Sequence, residues 1–236
     1  MSARTTALEF VETCDILESR TAVLELLVGT LARFGLDRAI FLGLPGIKER
    51  TSKVLARHWP EEWFGHYISK SYHVHDDVRE HMRTSTHPFH WRDVQVSPKG
   101  TLARRIAEEA REHGLASGYC VPLYSSVHWQ SGVSMGSEWA DLRLDGDDRA
   151  AVNLVAMVAN NAILRMAKPR GAVLSERERE VLQWSVEGKS AWEIGVILSI
   201  SEPTVKKHLL SIRRKYDVGT TLHAVVEGLR RREIGL

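Results

Sequence analysis

Six side chains that can carry a positive charge fall within ten consecutive positions near the C-terminal end of the chain. The stretch is LSISEPTVKKHLLSIRRKY (198–216), and the six residues are Lys206, Lys207, His208, Arg213, Arg214 and Lys215. The apolar residues Val205, Leu209, Ile212 and Tyr216 recur with the period of an α-helix, so they form one stripe. The pattern predicts a helix with one buried face and one basic face. Such a basic face is either merely solvated or able to pair with phosphate oxygens and base edges.

The residues before this helix mark its start and predict a second helix. Ser201 is a natural N-cap, and Pro203 fits the first turn, where its missing N–H is not needed. A helix is predicted over residues 190–198, followed by a turn at Ser199–Ser201. Two helices joined in this way form a helix-turn-helix, whose second helix enters the major groove of DNA. The outward residues available for that contact are Lys206, Lys207, Leu210, Arg213 and Arg214.

A second group of residues that could do chemistry lies in HWPEEWFGHYISKSYHVHDDV (58–78) and HPFHW (87–91). Trp63, Tyr67 and Trp91 combine apolar rings with polar N–H or O–H tips, and Asp76 is a hydrogen-bond acceptor. Such side chains can contact a bound ligand. The alternative interpretation is structural, because an isolated Trp or Tyr is usually part of a core. Asp76 and Asp77 could also simply cap the helix that follows them.

The same segment permits a metal-site alternative. Seven of the eleven histidines lie between His58 and His90, and HVHDD (73–77) has the spacing H-x-H-x-D. Zinc hydrolases use such His and Asp ligands to hold a metal that activates water. However, Val78 occupies the place of the closing histidine, and no second His-rich loop follows. With no catalytic triad or phosphate-binding glycine loop in the sequence either, we expect no metal, no cofactor and no enzymatic activity.

Composition and charge set the broad class of protein. The 236 residues are 43% hydrophobic and 26% charged, which is typical of a folded globular chain. Residues 168–236 hold 13 Lys and Arg against 9 Asp and Glu, a balance of +4, whereas residues 1–167 balance at −2. A basic C-terminal part fits a nucleic-acid partner. Two cysteines cannot build a disulfide framework, and no signal peptide or bilayer-spanning run is evident, so we expect a cytoplasmic protein.

The hydrophobic patterns predict an α+β region followed by an all-helical region, with a boundary at AKPRGAV (167–173). We expect helices near residues 5–18, 20–34, 60–72, 77–84, 101–114 and 146–166. Strands are expected at 39–44 and 52–59, with an antiparallel pair at 118–125 and 130–138. Helices alone are expected after the boundary, at 175–187, 190–198, 201–216 and 221–231.

Residues 174–216 resemble the DNA-binding domain of the LuxR family of transcription regulators. The matching positions are Glu178, Leu182, Gly188, Glu193, Ile194, Ser201, Thr204 and Val205. The resemblance implies that the helix at 202–216 reads base edges, and that Lys189, Ser190 and Thr204 lie close to phosphates. Tyr216 departs from the leucine that is usual in the family, but it keeps the buried stripe apolar.

The N-terminal region is similar to the autoinducer-binding domain of the quorum-sensing LuxR members. Their pattern is roughly YPxxWxxxY, then DP and a later W, and it is matched here by Trp63, Tyr67, Asp76 and Trp91. Gly118 and Ser134 match later parts of that domain. We therefore expect three parts: an autoinducer-binding domain at 1–167, a linker at 168–173 and a helix-turn-helix domain at 174–236.

The resemblance also implies a ligand, an N-acyl homoserine lactone, and roles for the residues that bind it. Trp63 would donate to the lactone carbonyl, Asp76 would accept the amide N–H, and Ser134 would donate to the acyl carbonyl. Tyr67 and Trp91 would supply apolar walls with polar tips. As partners, the family implies double-stranded DNA with an inverted-repeat operator, a second copy of the chain in a homodimer, and RNA polymerase. The long helix at 146–166 is the candidate dimer contact.

Two departures from the family pattern affect the expected ligand. Trp59 stands where many members have a Tyr whose hydroxyl helps bind the acyl carbonyl, and Trp offers more bulk and only an N–H. We therefore expect a short, branched or flat acyl group. Asp77 replaces the usual Pro after Asp76, which adds a like charge that could raise the pKa of Asp76. A non-lactone signal remains the alternative, because the same residues would bind any ligand that carries an amide.

Overall fold

The computed structural model describes residues 2–44, 53–95, 101–124, 130–166, 173–231 and 233–235. The chain divides into two compact units, residues 1–167 and 168–236, and each is described by itself. Most of the expected linker at 168–173 lies outside the described residues.

The first unit is built on one five-stranded antiparallel sheet in the order β2-β1-β5-β4-β3. The strands are β1 (Arg38–Leu44), β2 (Lys53–His58), β3 (Phe89–His90), β4 (Ser117–Leu123) and β5 (Gln130–Ser137). Because side chains alternate between the faces of a strand, each face carries its own set of residues. The predicted antiparallel pairing of β4 with β5 is confirmed.

Helices lie on both faces of this sheet. One face packs against α1 (Ala3–Asp15), α2 (Arg20–Leu31) and α6 (Gly146–Arg165), through strand residues that include Phe41, Val133 and Met135. The opposite face is met by side chains from α3 (Glu61–Ser69), α4 (Asp77–Thr84) and α5 (Thr101–Glu112). The expected α+β class, an antiparallel sheet flanked by helices, is therefore confirmed for this unit.

The structure corrects two elements of the sequence-based prediction. The helix expected at 60–72 ends at Ser69, because Ser71 has a left-handed backbone with φ of 55°, and a short 3-10 turn follows at Tyr72–Val74. Strand β3 was not predicted, since a strand of two residues carries no alternating pattern.

The second unit consists of α7 (Glu176–Val186), α8 (Ala191–Leu198), α9 (Glu202–Tyr216) and α10 (Thr221–Arg231). Their shared core includes Val181, Leu182, Ile194, Val205 and Ile212. The expected all-helical class and the buried stripe of α9 are thus confirmed. Among the helices within the described ranges, none combines the length and the hydrophobicity that crossing a bilayer needs.

Candidate functional site

The centre of the candidate ligand site is a row of residues across the sheet face that meets α3–α5. Register places Ile40 of β1 beside Ser134 of β5, Ser134 beside Cys120 of β4, and Cys120 beside Phe89 of β3. Ser134 is only 6% exposed, and its Oγ lies 3.4 Å from the Cys120 thiol. Burial raises the pKa of Cys120 to about 12, so this thiol stays protonated and can donate a hydrogen bond.

Glycines beside this row let large side chains lie directly on the sheet. Gly118 and Gly136 are paired across β4 and β5, and a Cβ at position 118 would collide with the indole ring of Trp91. A Cβ at position 136 would collide with Leu115. The expected match at Gly118 therefore has a physical reason, because Trp91 reaches the sheet only where the side chain of residue 118 is absent.

Trp63, Tyr67 and Asp76 form a connected group above this face. Trp63 is 2% exposed, and its ring centroid lies 5.8 Å from that of Tyr67. The Tyr67 hydroxyl donates to Asp76 Oδ2 at 2.7 Å, while Asp76 Oδ1 accepts the backbone N–H groups of Val78 at 2.9 Å and Arg79 at 3.1 Å. Asp76 is therefore the N-cap of α4, as the structural alternative predicted, and the same side chain accepts the hydrogen bond from Tyr67.

Burial is the largest influence on the pKa values of Asp76 and Tyr67. Burial raises the pKa of Asp76, while hydrogen bonds from Tyr67, Arg79 and Val78 oppose the rise. The rise therefore comes from burial rather than from the like charge of Asp77. Burial also raises the pKa of Tyr67 well above its usual range, and the Asp76 charge adds to that rise. The phenol therefore remains a hydrogen-bond donor at all physiological pH values.

Two indole N–H groups close to this region find no acceptor in the part of the chain that the structure describes. The rings of Trp59 and Trp91 lie 6.1 Å apart at an interplanar angle of 50°. Each Nε1 is buried and lacks a hydrogen-bond partner among the described residues. Trp91 lies near enough to the Cys120 thiol to influence its pKa, yet without the geometry of a hydrogen bond. Because an unpaired buried donor costs about 1–3 kcal/mol, the pair favours a ligand that brings acceptors.

Sequence reasoning missed the residues that pack around Trp63. The rings of Tyr72 and His113 lie 6.3 Å and 5.6 Å from the Trp63 ring. Tyr72 Oη donates to Glu109 Oε2 at 2.7 Å, and His66 Nε2 lies 2.8 Å from the same oxygen, so this carboxylate joins α3 to α5. Hydrogen bonds from Arg105, Tyr72 and His66 lower the pKa of Glu109 to about 2. Tyr72 follows the end of α3 and His113 follows the end of α5, so no helical spacing links them to Trp63 in the sequence.

The metal-site alternative gains no support from the described residues. His73 is half-buried, and burial lowers its pKa, whereas His75 of the same motif is exposed. Within the described ranges, no group of three or more His, Cys, Asp or Glu side chains is placed to hold a metal ion.

In the second unit, α8 and α9 form the predicted helix-turn-helix, and caps fix both helix starts. Ser190 caps α8 in a reciprocal pair with Glu193, and Ser201 Oγ accepts the N–H of Thr204 at the start of α9. The turn needs glycine at position 195, because a Cβ there would lie 2.7 Å from the carbonyl oxygen of Ile200. Ser199 completes the turn with a left-handed φ of 53°.

The outward face of this motif carries most of the predicted DNA-contacting residues. The exposed ones are Lys189, Ser190, Lys206, Lys207, Leu210 and Arg214, and Thr204 is half-buried. Lys206 Nζ pairs with Glu202 at 2.6 Å. Arg213 is half-buried, and its Nη1 donates to the Gly219 carbonyl at 3.3 Å. The left-handed residue Asp217 turns the chain back toward α9 and so brings Gly219 within reach of Arg213.

Comparisons with known proteins agree with both halves of this description. Residues 19–164 match the autoinducer-binding domain, and residues 172–233 match the luxR family of bacterial regulatory proteins. The chain is 37% identical over 234 residues to RpaR of Rhodopseudomonas palustris, an HTH-type quorum sensing-dependent transcriptional regulator. That match covers 94% of this chain and 92% of RpaR. The chain is also 32% identical to the transcriptional activator BjaR1 of Bradyrhizobium diazoefficiens. That match covers 97% of this chain and 96% of BjaR1.

A solved structure supports the fold. The structure of SdiA in complex with octanoyl-rac-glycerol is similar to this chain with a TM-score of 0.76 at 22% identity. The match covers 99% of this chain and 96% of that one. At this identity, the similarity is evidence for the fold alone.

Proposed function

This chain belongs to the LuxR family of quorum-sensing transcription regulators, and on that premise we propose that its signal is an N-acyl homoserine lactone. The lactone would be bound by the first unit, and two copies of the chain would then meet an inverted-repeat operator through their helix-turn-helix motifs. Such a regulator works in the cytoplasm, where DNA and RNA polymerase are. Its relatives are regulators rather than enzymes.

The observation that carries the proposal is the pair of buried donors Trp59 and Trp91, which have no partner within the described ranges and lie beside the row that holds Ser134. They call for a ligand with carbonyl oxygens, and Asp76 favours a lactone because it can accept the amide N–H. A lactone of this class has two carbonyl oxygens and one amide N–H, so it offers acceptors to these donors and a donor to an acceptor. Trp63 would bind the lactone carbonyl and Asp76 the amide N–H. Ser134 would donate to the acyl carbonyl, and Trp59 would add the donor that a Tyr supplies elsewhere in the family.

The DNA-contacting residues follow from the exposed face of α9 and its neighbourhood. Lys206, Lys207, Leu210 and Arg214 would face the major groove, where cations pair with guanine edges or phosphates. Lys189, Ser190 and Thr204 would lie by the phosphate backbone. A dimer would place two such helices in successive major grooves about 10 bp apart. The long helix α6 is our candidate for part of the dimer contact.

A non-lactone acyl ligand is the second candidate. SdiA, which has a similar fold, has been solved in complex with octanoyl-rac-glycerol, an ester without an amide N–H. Such a ligand would satisfy the donors Trp59, Trp91 and Ser134 but would leave Asp76 without a ligand donor of the amide type. The two candidates therefore differ in whether they need the Asp76 carboxylate.

Thermal unfolding of the full chain against a ligand panel tests the proposal. The panel holds acyl-homoserine lactones with short, branched, aromatic and long tails, together with a monoacylglycerol. A ligand present at 100 times its Kd should stabilise the folded state by about 2.7 kcal/mol. We expect a large upward shift of Tm with one short, branched or flat tail class. A shift with the acylglycerol alone would favour the second candidate, and no shift in folded, DNA-binding protein would refute both.

A further inference from the structure

Met82 of α4 lies directly on the sheet at Gly132, two residues before Ser134 on the same face of β5. A Cβ at position 132 would lie 2.5 Å from Met82 Sδ and 3.1 Å from its Cγ. Met82 is 1% exposed and packs with Phe89 and Cys120. The thioether therefore fills the space that the missing side chain of Gly132 leaves open.

Met82 and the polar residues lie on opposite sides of Ser134, which defines the direction in which a ligand would extend across the sheet. Trp63 packs in one cluster with Leu115, which lies over Gly136 on one side of Ser134. Met82 belongs to a different cluster and lies over Gly132 on the other side of Ser134. Trp91 contacts both clusters. A ligand whose polar head lies at Trp63 and whose acyl carbonyl lies at Ser134 would thus direct its tail toward Met82.

We propose that Met82, seated on Gly132, is the residue that limits the length of the acyl tail. This inference rests on the proposed function and gives a structural cause for the short tail that we expect. The end of the tail and the Met82 thioether would compete for the space above Gly132, because Met82 already lies so close that a Cβ at 132 would be 2.5 Å from its Sδ. Met82 is a different contact from Trp59, which packs with the cluster around Trp63.

The test is tail-length selectivity in the full chain and three variants. Affinities for a series of straight-chain acyl-homoserine lactones of increasing length are measured for wild type, Met82→Ala, Met82→Leu and the double variant Met82→Ala with Gly132→Ala. Met82→Leu conserves volume and serves as the matched control. Met82→Val is a smaller truncation and replaces Met82→Ala if that variant does not fold.

We expect Met82→Ala to move the optimum to longer tails, with affinity for those tails gaining about fourfold per added methylene. Met82→Leu should keep the wild-type optimum. In the double variant, the optimal tail length should move back toward that of wild type, because the new Cβ at position 132 enters the space that Met82 has left.

An unchanged optimum in Met82→Ala, or an equal loss for every tail, would show that Met82 is merely structural and would overturn the inference. Failure of the proposed function looks different, since wild type would then bind no acyl-homoserine lactone at all, neither in this series nor among the branched and aromatic tails of the thermal-unfolding panel.

Discussion

At the scale of single residues, Asp76 performs two tasks with different requirements. Its Oδ1 accepts two backbone N–H groups and caps α4, and its Oδ2 accepts the Tyr67 hydroxyl. Each carboxylate oxygen has two lone pairs, so Oδ2 retains one for a ligand N–H. Capping needs only an oxygen at Oδ1, whereas a strong bond to an amide N–H needs the charge. A substitution can therefore separate the two tasks.

Asp76→Asn should lower lactone affinity about tenfold to a hundredfold while leaving the fold without ligand intact. Asn is as good an N-cap as Asp, but its amide nitrogen would replace the Oδ2 acceptor, and a charge-assisted bond is worth about 1.5–3 kcal/mol. Calorimetric titration measures the affinity. Asp77→Asn removes the same charge one position away and is the control, for which we expect no loss. Equal affinities of wild type and Asp76→Asn would remove Asp76 from the ligand site.

At the scale of elements, one buried carboxylate joins α7 to α9. Glu178 of α7 is 4% exposed and accepts hydrogen bonds from Ser211 at 2.7 Å and Lys215 at 2.6 Å on α9. It also accepts the N–H of Ser175 at the start of its own helix. Burial alone would raise the pKa of Glu178, but these bonds together hold it at about 2. The position of α9, the helix that we propose contacts DNA, therefore depends on an ionised group.

The second unit should lose stability in acid through Glu178. Because its folded pKa lies below the ordinary value of 4.5, its contribution is fully present above about pH 5 and is lost as pH falls toward 2. The shift corresponds to about 3 kcal/mol. Glu178→Gln should lose a similar amount at pH 7 and flatten the dependence on acid, as measured by urea unfolding followed by circular dichroism.

The control for this prediction lies on the same helix. Glu180 pairs with Arg177 at 2.6 Å, but its side chain is 45% exposed, so Glu180→Gln should cost no more than about 1 kcal/mol. If both variants showed the same small change, Glu178 would not anchor α9.

Local signals explain which elements could be predicted from the sequence. Ser190 and Ser201 are capping residues at the starts of α8 and α9, so those helices were placed within one residue. The end of α3 depends on the left-handed backbone of Ser71, and β3 forms only because β4 lies beside it. Neither cause can be read from the local sequence.

Some residues of the candidate site could likewise be predicted from the sequence, and others could not. Trp63, Tyr67 and Asp76 lie in one short stretch, so their spacing made them predictable. The contributions of Cys120 and Met82 depend on strand register and on helix packing across the sheet. These contacts join segments that are distant in the chain, and only the folded structure brings them together.

At the scale of the whole molecule, charge is divided between the two units. Residues 168–236 balance at +4 and residues 1–167 at −2, so attraction to DNA resides in the second unit. Not every cation there is available, because Lys215 is bound to Glu178 and Arg213 to the Gly219 carbonyl. The exposed side chain of Arg214 is therefore the better test of a phosphate or base contact.

Arg214→Ala should weaken binding to a non-specific duplex and reduce the slope of log K against log salt by about one per protomer, because one fewer counterion is released. Arg213→Ala should change the slope less. It should instead lower the stability of the turn after α9, because the Arg213 guanidinium donates a hydrogen bond to the Gly219 carbonyl. Fluorescence anisotropy at several salt concentrations measures both. Arg111→Ala removes one exposed cation from the first unit and should leave the slope unchanged. If Arg111→Ala reduced the slope as much as Arg214→Ala, DNA attraction would follow total charge rather than the face of α9.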